Sequence, residues 1–158
     1  MKTLVSWIVV LVMALSTAGA PRAEPPPPVE MEHCLVGRLV DTYYAAKYMS
    51  ERSAVVARAA PSNPALARSL RGFGERLSEV ERDVIGALTP PTSEAKLLQA
   101  LVETSTRLAI LRSNLARMNI ALLLSTDEAA KQAVRDMSER LSALHATIPP
   151  DAPARGCR

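Results

Sequence analysis

The sequence predicts an all-α protein, an up-down-up-down antiparallel four-helix bundle closed by one disulfide. Four stretches carry apolar residues at the spacing of an amphipathic helix, and in the last three of them steps of four and three positions alternate. Prolines cluster between these stretches, where they do not interrupt helix. The chain contains only one Phe, one Trp and three Tyr. Its core must therefore consist of Leu, Val, Ile, Met and Ala, most of which favour helix.

The first 20 residues show the three-part pattern of a secretory signal peptide. Lys2 gives a positive start, residues 4–15 are apolar except for Ser6, and small residues follow up to Ala20. The alternative is an uncleaved membrane anchor, but the apolar run is shorter than the ~20 residues that a spanning helix needs. We therefore predict that residues 1–20 are a signal peptide and that the protein is periplasmic or secreted, through bacterial-type export.

The charge of the chain gives little reason to expect a nucleic-acid partner. Removal of residues 1–20 takes away Lys2 and no acidic residue, so the formal net charge falls from +3 to +2. This weak positive charge does not predict binding to nucleic acid. The expected partner is another envelope or secreted protein, with membrane contact only if the signal segment stays uncleaved.

Residues 21–29 predict a spacer that precedes the helical domain, which we place at residues 30–158. Four consecutive prolines in the spacer favour stiff polyproline II conformation. The first helix is predicted to begin near Glu30 and to end before Pro61. Its apolar positions are Leu35, Leu39, Tyr43, Ala46, Met49 and Val56.

The second helix is predicted to start at Asn63 and Pro64, as N-cap and first helical residue. Its apolar seam is Leu66, Leu70, Phe73, Leu77, Val80, Val84 and Ala87. Gly72 and Gly74 cost about 1 kcal/mol each inside a helix. Whether the helix kinks or splits at this point is left open by the pattern.

The third helix is predicted to be capped by Thr92 or Ser93, and the fourth by a capping box of Ser125 and Glu128. The third seam is Leu97, Leu101, Thr104, Leu108, Leu111, Leu115, Met118 and Leu122, and the fourth is Ala130, Val134, Met137, Leu141, Leu144 and Ile148. Four amphipathic helices joined by short turns pack as antiparallel neighbours, which gives the predicted bundle.

The two cysteines are predicted to form the disulfide. Cys34 stands near the start of the first helix and Cys157 follows the last helix, and these two ends lie side by side in an up-down-up-down bundle. An exported protein meets an oxidising compartment, where disulfides persist. The competing interpretations are two free thiols or a metal site, but neither cysteine belongs to a CxxC motif.

One set of residues could bind a prosthetic group: His145 together with Met31 or His33. The predicted topology brings these residues to the same end of the bundle. Their placement resembles that of the axial ligands in four-helix haem proteins of the cytochrome b562 type. We favour the simpler interpretation, a histidine close to the negative end of a helix, and expect no cofactor and no metal.

The three tyrosines and Phe73 are the candidate partner-binding residues. Tyr43, Tyr44 and Tyr48 lie within six residues, and Tyr44 and Tyr48 share a helix face. Tyrosine is enriched at contact surfaces. The alternative, which we favour, is that one tyrosine faces the core while the others flank it. Phe73, between two glycines, marks either a partner contact or a close helix crossing, and we favour the crossing.

Ser105, Arg112 and Asn119 recur every seven residues along the third helix. They form either a polar seam inside the bundle or a solvated flank beside the apolar seam. We predict the solvated flank.

Together these features predict an exported, non-catalytic binding or accessory protein that acts by surface contact, such as a chaperone-like, inhibitor, immunity or sensor-type module. The alternative is a carrier of b-type haem or of another small ligand. A third hypothesis is an enzyme that uses arginines and carboxylates within the bundle. No motif for a phosphate loop or an activated nucleophile occurs in the sequence.

The signal peptide predicts a mature protein that begins between Gly19 and Glu24, because cleavage follows the small residues after the apolar run. N-terminal sequencing of protein from the envelope fraction measures this directly. An intact Met1 on most molecules would show that the segment is an anchor instead.

Overall fold

The structure, a computed structural model, describes residues 28–60, 63–149 and 151–157. It contains four helices, α1 (Pro28–Ala59), α2 (Pro64–Leu88), α3 (Glu94–Leu122) and α4 (Glu128–Thr147). No strand occurs in the residues that it describes. The predicted signal peptide and residues 21–27 of the predicted spacer lie outside the described residues. The first helix begins two residues earlier than the sequence pattern predicts, at Pro28.

The starts of α2 and α3 are set by side chains that satisfy free backbone donors. The Asn63 side chain accepts a hydrogen bond from the backbone nitrogen of Leu66 at 3.0 Å, and Pro64 follows as the first helical residue. The Ser93 hydroxyl accepts from the backbone nitrogen of Lys96 at 3.3 Å. Ser93, one of the two predicted candidates, is therefore the N-cap of α3.

The start of α4 differs from the prediction. The N-cap is Asp127, whose carboxylate accepts from the backbone nitrogen of Ala130 at 2.9 Å. The predicted capping box of Ser125 and Glu128 is wrong. The Ser125 hydroxyl instead accepts from the backbone nitrogen of Asp127 at 3.1 Å, which orders the turn before the helix.

The apolar seams of all four helices face one interior. Burial of a leucine side chain contributes about 2 kcal/mol, so these seams supply the main driving force for folding. The largest fully buried side chains are Phe73, Leu35, Leu39, Met49, Leu70, Leu77, Leu97, Leu101, Leu108, Leu111, Leu115 and Leu122. Phe73 is only 2% exposed. The Phe73 ring is therefore part of the core.

Sequential helices pack side by side, and α4 returns to α1, which confirms the up-down-up-down four-helix bundle. The first helix contacts each of the other three, whereas no Cα atoms of α2 and α4 approach within 8 Å in the described residues. The cross-section is therefore a rhombus, with α1 and α3 across its short diagonal.

The crossing of α1 and α2 is built from small residues. A methyl group at Gly74 would lie 2.5 Å from the Ser53 hydroxyl oxygen of α1, so only hydrogen fits beside that oxygen. Further along the same crossing, the hydroxyls of Ser50 and Ser78 are hydrogen bonded at 3.0 Å. Helix α2 continues unbroken through Gly72 and Gly74, so the glycines permit a close approach and do not split the helix.

Ser105 of α3 is fully buried, and its hydroxyl donates to the carbonyl of Ile148 at 2.7 Å. The predicted solvated flank is therefore wrong at this residue, although Arg112 is exposed and Asn119 half-buried. The reason is the end of α4. Ile148 is the C-cap residue, so its carbonyl lies beyond the intrahelical ladder and takes the Ser105 donor.

The chain closes on itself at the end that holds the start of α1. Cys34 and Cys157 form the predicted disulfide across a sequence separation of 123, with their Cα atoms 5.6 Å apart. The Arg38 guanidinium donates to the carbonyls of Thr147, Pro153 and Arg155, so it holds the tail beside the disulfide. In residues 28–149 no helix offers a stretch apolar and long enough to span a membrane.

The small-residue crossing predicts opposite roles for two glycines of the same helix. Gly72→Ala meets no atom within 4 Å and should raise the free energy of unfolding by about 1 kcal/mol through helix propensity. The increase in the free energy of unfolding from Gly74→Ala should be about 1 kcal/mol smaller than that from Gly72→Ala. The added methyl group forces the Ser53 hydroxyl to give up its hydrogen bond to the Ser50 carbonyl. Urea unfolding measures both values.

A second background isolates the contact. In Ser53→Ala protein the nearest remaining neighbours of a methyl at Gly74 lie at 3.5 Å and 3.8 Å, which is ordinary contact distance. Gly74→Ala should then stabilise as much as Gly72→Ala does. Equal gains from both glycines already in the unmodified protein would contradict a close crossing.

Candidate functional site

The tyrosines of α1 lie on the outer side of the bundle but have different surroundings. Tyr43 is half-buried and packs against the core, while the side chain of Tyr44 is 66% exposed. The two rings meet edge to face, with centroids 5.3 Å apart and planes at 72°. This is a favourable aromatic geometry. Tyr43 therefore supports the neighbouring ring in a defined orientation at the surface.

These two rings line a shallow groove of about 380 Å³ between α1 and the end of α2, which we call the tyrosine groove. Its lining residues are Val40, Tyr43, Tyr44, Ile85, Leu88, Thr89 and Pro90. Ile85 is 49% exposed, so it adds an aliphatic side chain to the exposed aromatic ring. The groove is thus an apolar surface feature that a side chain of another molecule can enter.

The α2–α3 turn that ends the tyrosine groove is held by polar contacts. The backbone nitrogen of Thr89 donates to the Ile85 carbonyl at 3.0 Å, and the Thr89 hydroxyl donates to the same carbonyl at 2.7 Å. The Lys96 ammonium donates to the carbonyl of Thr89 at 2.9 Å and to that of Pro91 at 3.3 Å. These bonds give the groove an ordered edge.

Tyr48 is engaged with α4. Its hydroxyl donates to the Asp136 carboxylate at 3.1 Å, and the Arg140 guanidinium carbon lies 4.3 Å from the ring centroid. Arg140 also pairs with Asp136 at 3.2 Å. Tyr44 and Tyr48, which were predicted to share a helix face, therefore have different surroundings. Tyr44 lies at the tyrosine groove, and Tyr48 lies in a polar contact between α1 and α4.

The residues considered as haem ligands gather at the disulfide end. Met31 is half-buried against the core, His33 is exposed, and His145 is half-buried. The Nε2 atom of His145 is buried without a hydrogen-bond partner. Cys34, directly after His33, takes part in the disulfide.

A second groove, of about 460 Å³, lies between α2 and α3 and was missed by sequence reasoning. Arg76 and Arg117 line it together with Asn114, above a floor that includes Phe73 and Met118. Gly72 leaves the space open. The sequence places these two arginines on different helices, so inspection of one helix at a time could not bring them together.

Glu81 lies on α2 with its carboxyl partly buried. Partial burial raises the pKa of its carboxyl; nearby Glu51 acts in the same direction, and Lys47 and the Ser50 hydroxyl oppose it. The group belongs to the α1–α2 surface and not to the tyrosine groove. Among the described residues, no cluster of three or more His, Cys, Asp or Glu side chains could hold a metal ion.

Comparison with known protein families, with curated proteins and with solved structures yields no significant match to this chain.

Proposed function

We propose that this chain is an exported, non-catalytic binding protein that contacts another envelope or secreted protein through the tyrosine groove. The observation that carries the proposal is the pair of rings at its rim. Tyr44 is 66% exposed and is held edge to face by half-buried Tyr43, beside the exposed Ile85. Tyrosine rings that stand ready at a surface are typical centres of binding energy in protein interfaces.

The order of the rim favours binding. Association loses side-chain freedom, and a ring already held in one orientation loses less. The opening of about 380 Å³ accommodates one or a few apolar side chains, and the rim offers an aromatic face, an aliphatic side chain and a hydroxyl. We therefore propose that a helix or loop of the partner inserts an apolar side chain between Tyr44 and Ile85. A chaperone-like, inhibitory, immunity or sensor-type role would use the same contact.

Three of the four buried hydroxyl residues in the described part of the chain support the non-catalytic part of the proposal. Thr42, Ser53 and Ser105 donate to the carbonyls of Arg38, Ser50 and Ile148, at 2.7, 2.8 and 2.7 Å. Each hydroxyl therefore has a structural role, within a helix or between helices. None of these three is presented as a nucleophile beside a base.

The proposal predicts that Tyr44→Ala strongly reduces capture of the partner. Loss of a central aromatic contact typically costs about 2 kcal/mol or more of binding free energy, a factor of about thirty in affinity. Folding should be retained, because the ring is mostly exposed. The amount of partner captured from the native envelope fraction measures the effect. Cross-linking from residue 85 then shows whether the captured protein lies at the tyrosine groove. Helicity and thermal unfolding should stay nearly unchanged.

A matched control distinguishes this contact from general stickiness. Ile110 is 54% exposed on α3, away from the tyrosine groove, so Ile110→Ala should leave capture unchanged. His145→Ala should also have little effect. Equal capture by Tyr44→Ala and unmodified protein, or no captured protein at all, would contradict the proposal. A Soret band in protein from its native host, lost on His145→Ala, would favour the haem carrier instead.

A further inference from the structure

Three large apolar side chains are exposed where α3 ends and the α3–α4 turn begins. Ile120, Leu123 and Leu124 are 68%, 71% and 97% exposed. The turn is ordered, since the backbone nitrogen of Leu123 donates to the Ile120 carbonyl at 3.2 Å and that of Ser125 donates to the Leu122 carbonyl at 3.0 Å. Exposure of such side chains to water is unfavourable. A cluster of them at one tip is typical of a surface that contacts another protein or a membrane.

The same end of the bundle carries an excess of positive charge. It comprises the last two turns of α1 and α3, the first two turns of α2 and α4, and the α3–α4 turn: residues 52–59, 64–71 and 115–135. We call it the basic end. It contains seven basic and two acidic residues. The basic residues are Arg52 and Arg58 on α1, Arg68 and Arg71 on α2, Arg117 on α3, and Lys131 and Arg135 on α4.

Both acidic groups of the basic end have local partners. Asp127 caps α4, and Glu128 pairs with Lys131 at 2.8 Å. Within the described part of the chain, Lys131 is the one basic residue of this end that forms an ion pair. The remaining six are exposed arginines. Their charge is therefore available to an outside anion.

The positive charge is concentrated at this end and is not spread over the molecule. The opposite end, residues 28–35, 81–101 and 140–157, contains six acidic and four basic residues. The apolar tip lies within the basic region, since Leu123 lines a shallow groove with Lys131 and Arg135. Arg117 lines the adjacent groove between α2 and α3.

We propose that the basic end binds a membrane surface that contains anionic lipids, with Leu123 and Leu124 inserted among the acyl chains. Arginines of all four helices lie at the same end of the bundle as the apolar tip, and Lys131 and Arg135 line a groove with Leu123. Basic residues near an anionic surface each add to binding, and inserted apolar side chains add a hydrophobic contribution. A bilayer accepts a protruding leucine without a matching pocket, which a protein partner would have to supply. This goes beyond the proposed contact at the tyrosine groove, which lies towards the opposite end.

The test uses a chain of residues 21–158. All described helices, the core and the disulfide lie within residues 28–157, so this chain keeps the bundle and omits the apolar segment 4–15, which would itself bind vesicles. Cosedimentation compares vesicles of phosphatidylcholine with vesicles that also contain phosphatidylglycerol. The protein should bind the anionic vesicles, and salt should weaken the binding. Leu123→Ser with Leu124→Ser should reduce the partition coefficient about tenfold or more.

The control is Ile110→Ser, which replaces an exposed apolar residue of α3 outside the basic end and should leave binding unchanged. Arg117→Gln with Arg135→Gln should weaken binding to anionic vesicles by about fivefold per residue. Circular dichroism confirms that each variant is folded. Undiminished vesicle binding by the double serine variant would overturn the proposal. So would equal binding to vesicles of pure phosphatidylcholine.

A spectroscopic test reports insertion itself. Trp7 is the sole tryptophan of the chain, so residues 21–158 contain none. In Leu124→Trp protein, anionic vesicles should shift the emission to shorter wavelength, whereas Ile110→Trp should show no shift. Absence of a shift at residue 124 would overturn insertion. If no vesicle binds and the double serine variant instead loses a captured protein, the basic end is a protein interface and the lipid proposal is wrong.

Discussion

The link between Cys34 and Cys157 joins the first helix to the tail that follows the last one, and so closes a bundle whose apolar seams drive folding. The bond closes a sequence separation of 123, and Arg38 adds hydrogen bonds to three carbonyls that follow or end α4. Ile148 and Cys157 are thereby packed into the core. In the rhombic cross-section, α1 contacts all three of the other helices. Within the described part of the chain, helices α4 and α2 are not neighbours and are linked only through α1 and α3.

This closure gives the two ends of the molecule different characters. The end that carries the disulfide is covered by the tail, and the tyrosine groove opens beside it where α2 ends. At the other end the helices are joined by a turn that leaves Leu123 and Leu124 exposed among arginines. An ordered aromatic rim suits a specific protein contact, whereas a protruding apolar tip within positive charge suits a lipid surface. The two proposals therefore use opposite ends and are independent.

The elements of this fold follow from local signals, whereas several contacts do not. Heptad spacing predicted the buried seams, and Asn63 with Pro64 predicted the start of α2, because these patterns act within one or two helical turns. Burial of Ser105 depends on the Ile148 carbonyl, 43 residues away, and no local pattern encodes that contact. Likewise, Tyr48 finds Asp136 and Arg140 across a helix interface. The basic end combines residues of four separate segments, so a residue-by-residue count of charge did not predict it.

The oxidation state of the two cysteines in protein isolated from its native host tests the closure of the bundle most directly. Mass spectrometry of unreduced peptides should find Cys34 linked to Cys157 in nearly all molecules. Replacement of both by serine should lower the free energy of unfolding by up to about 4 to 5 kcal/mol, the value expected for a closed loop of this length. Two thiols that react freely with an alkylating reagent in the folded protein, with no loss of stability in the serine variant, would contradict both the closure and the proposed export.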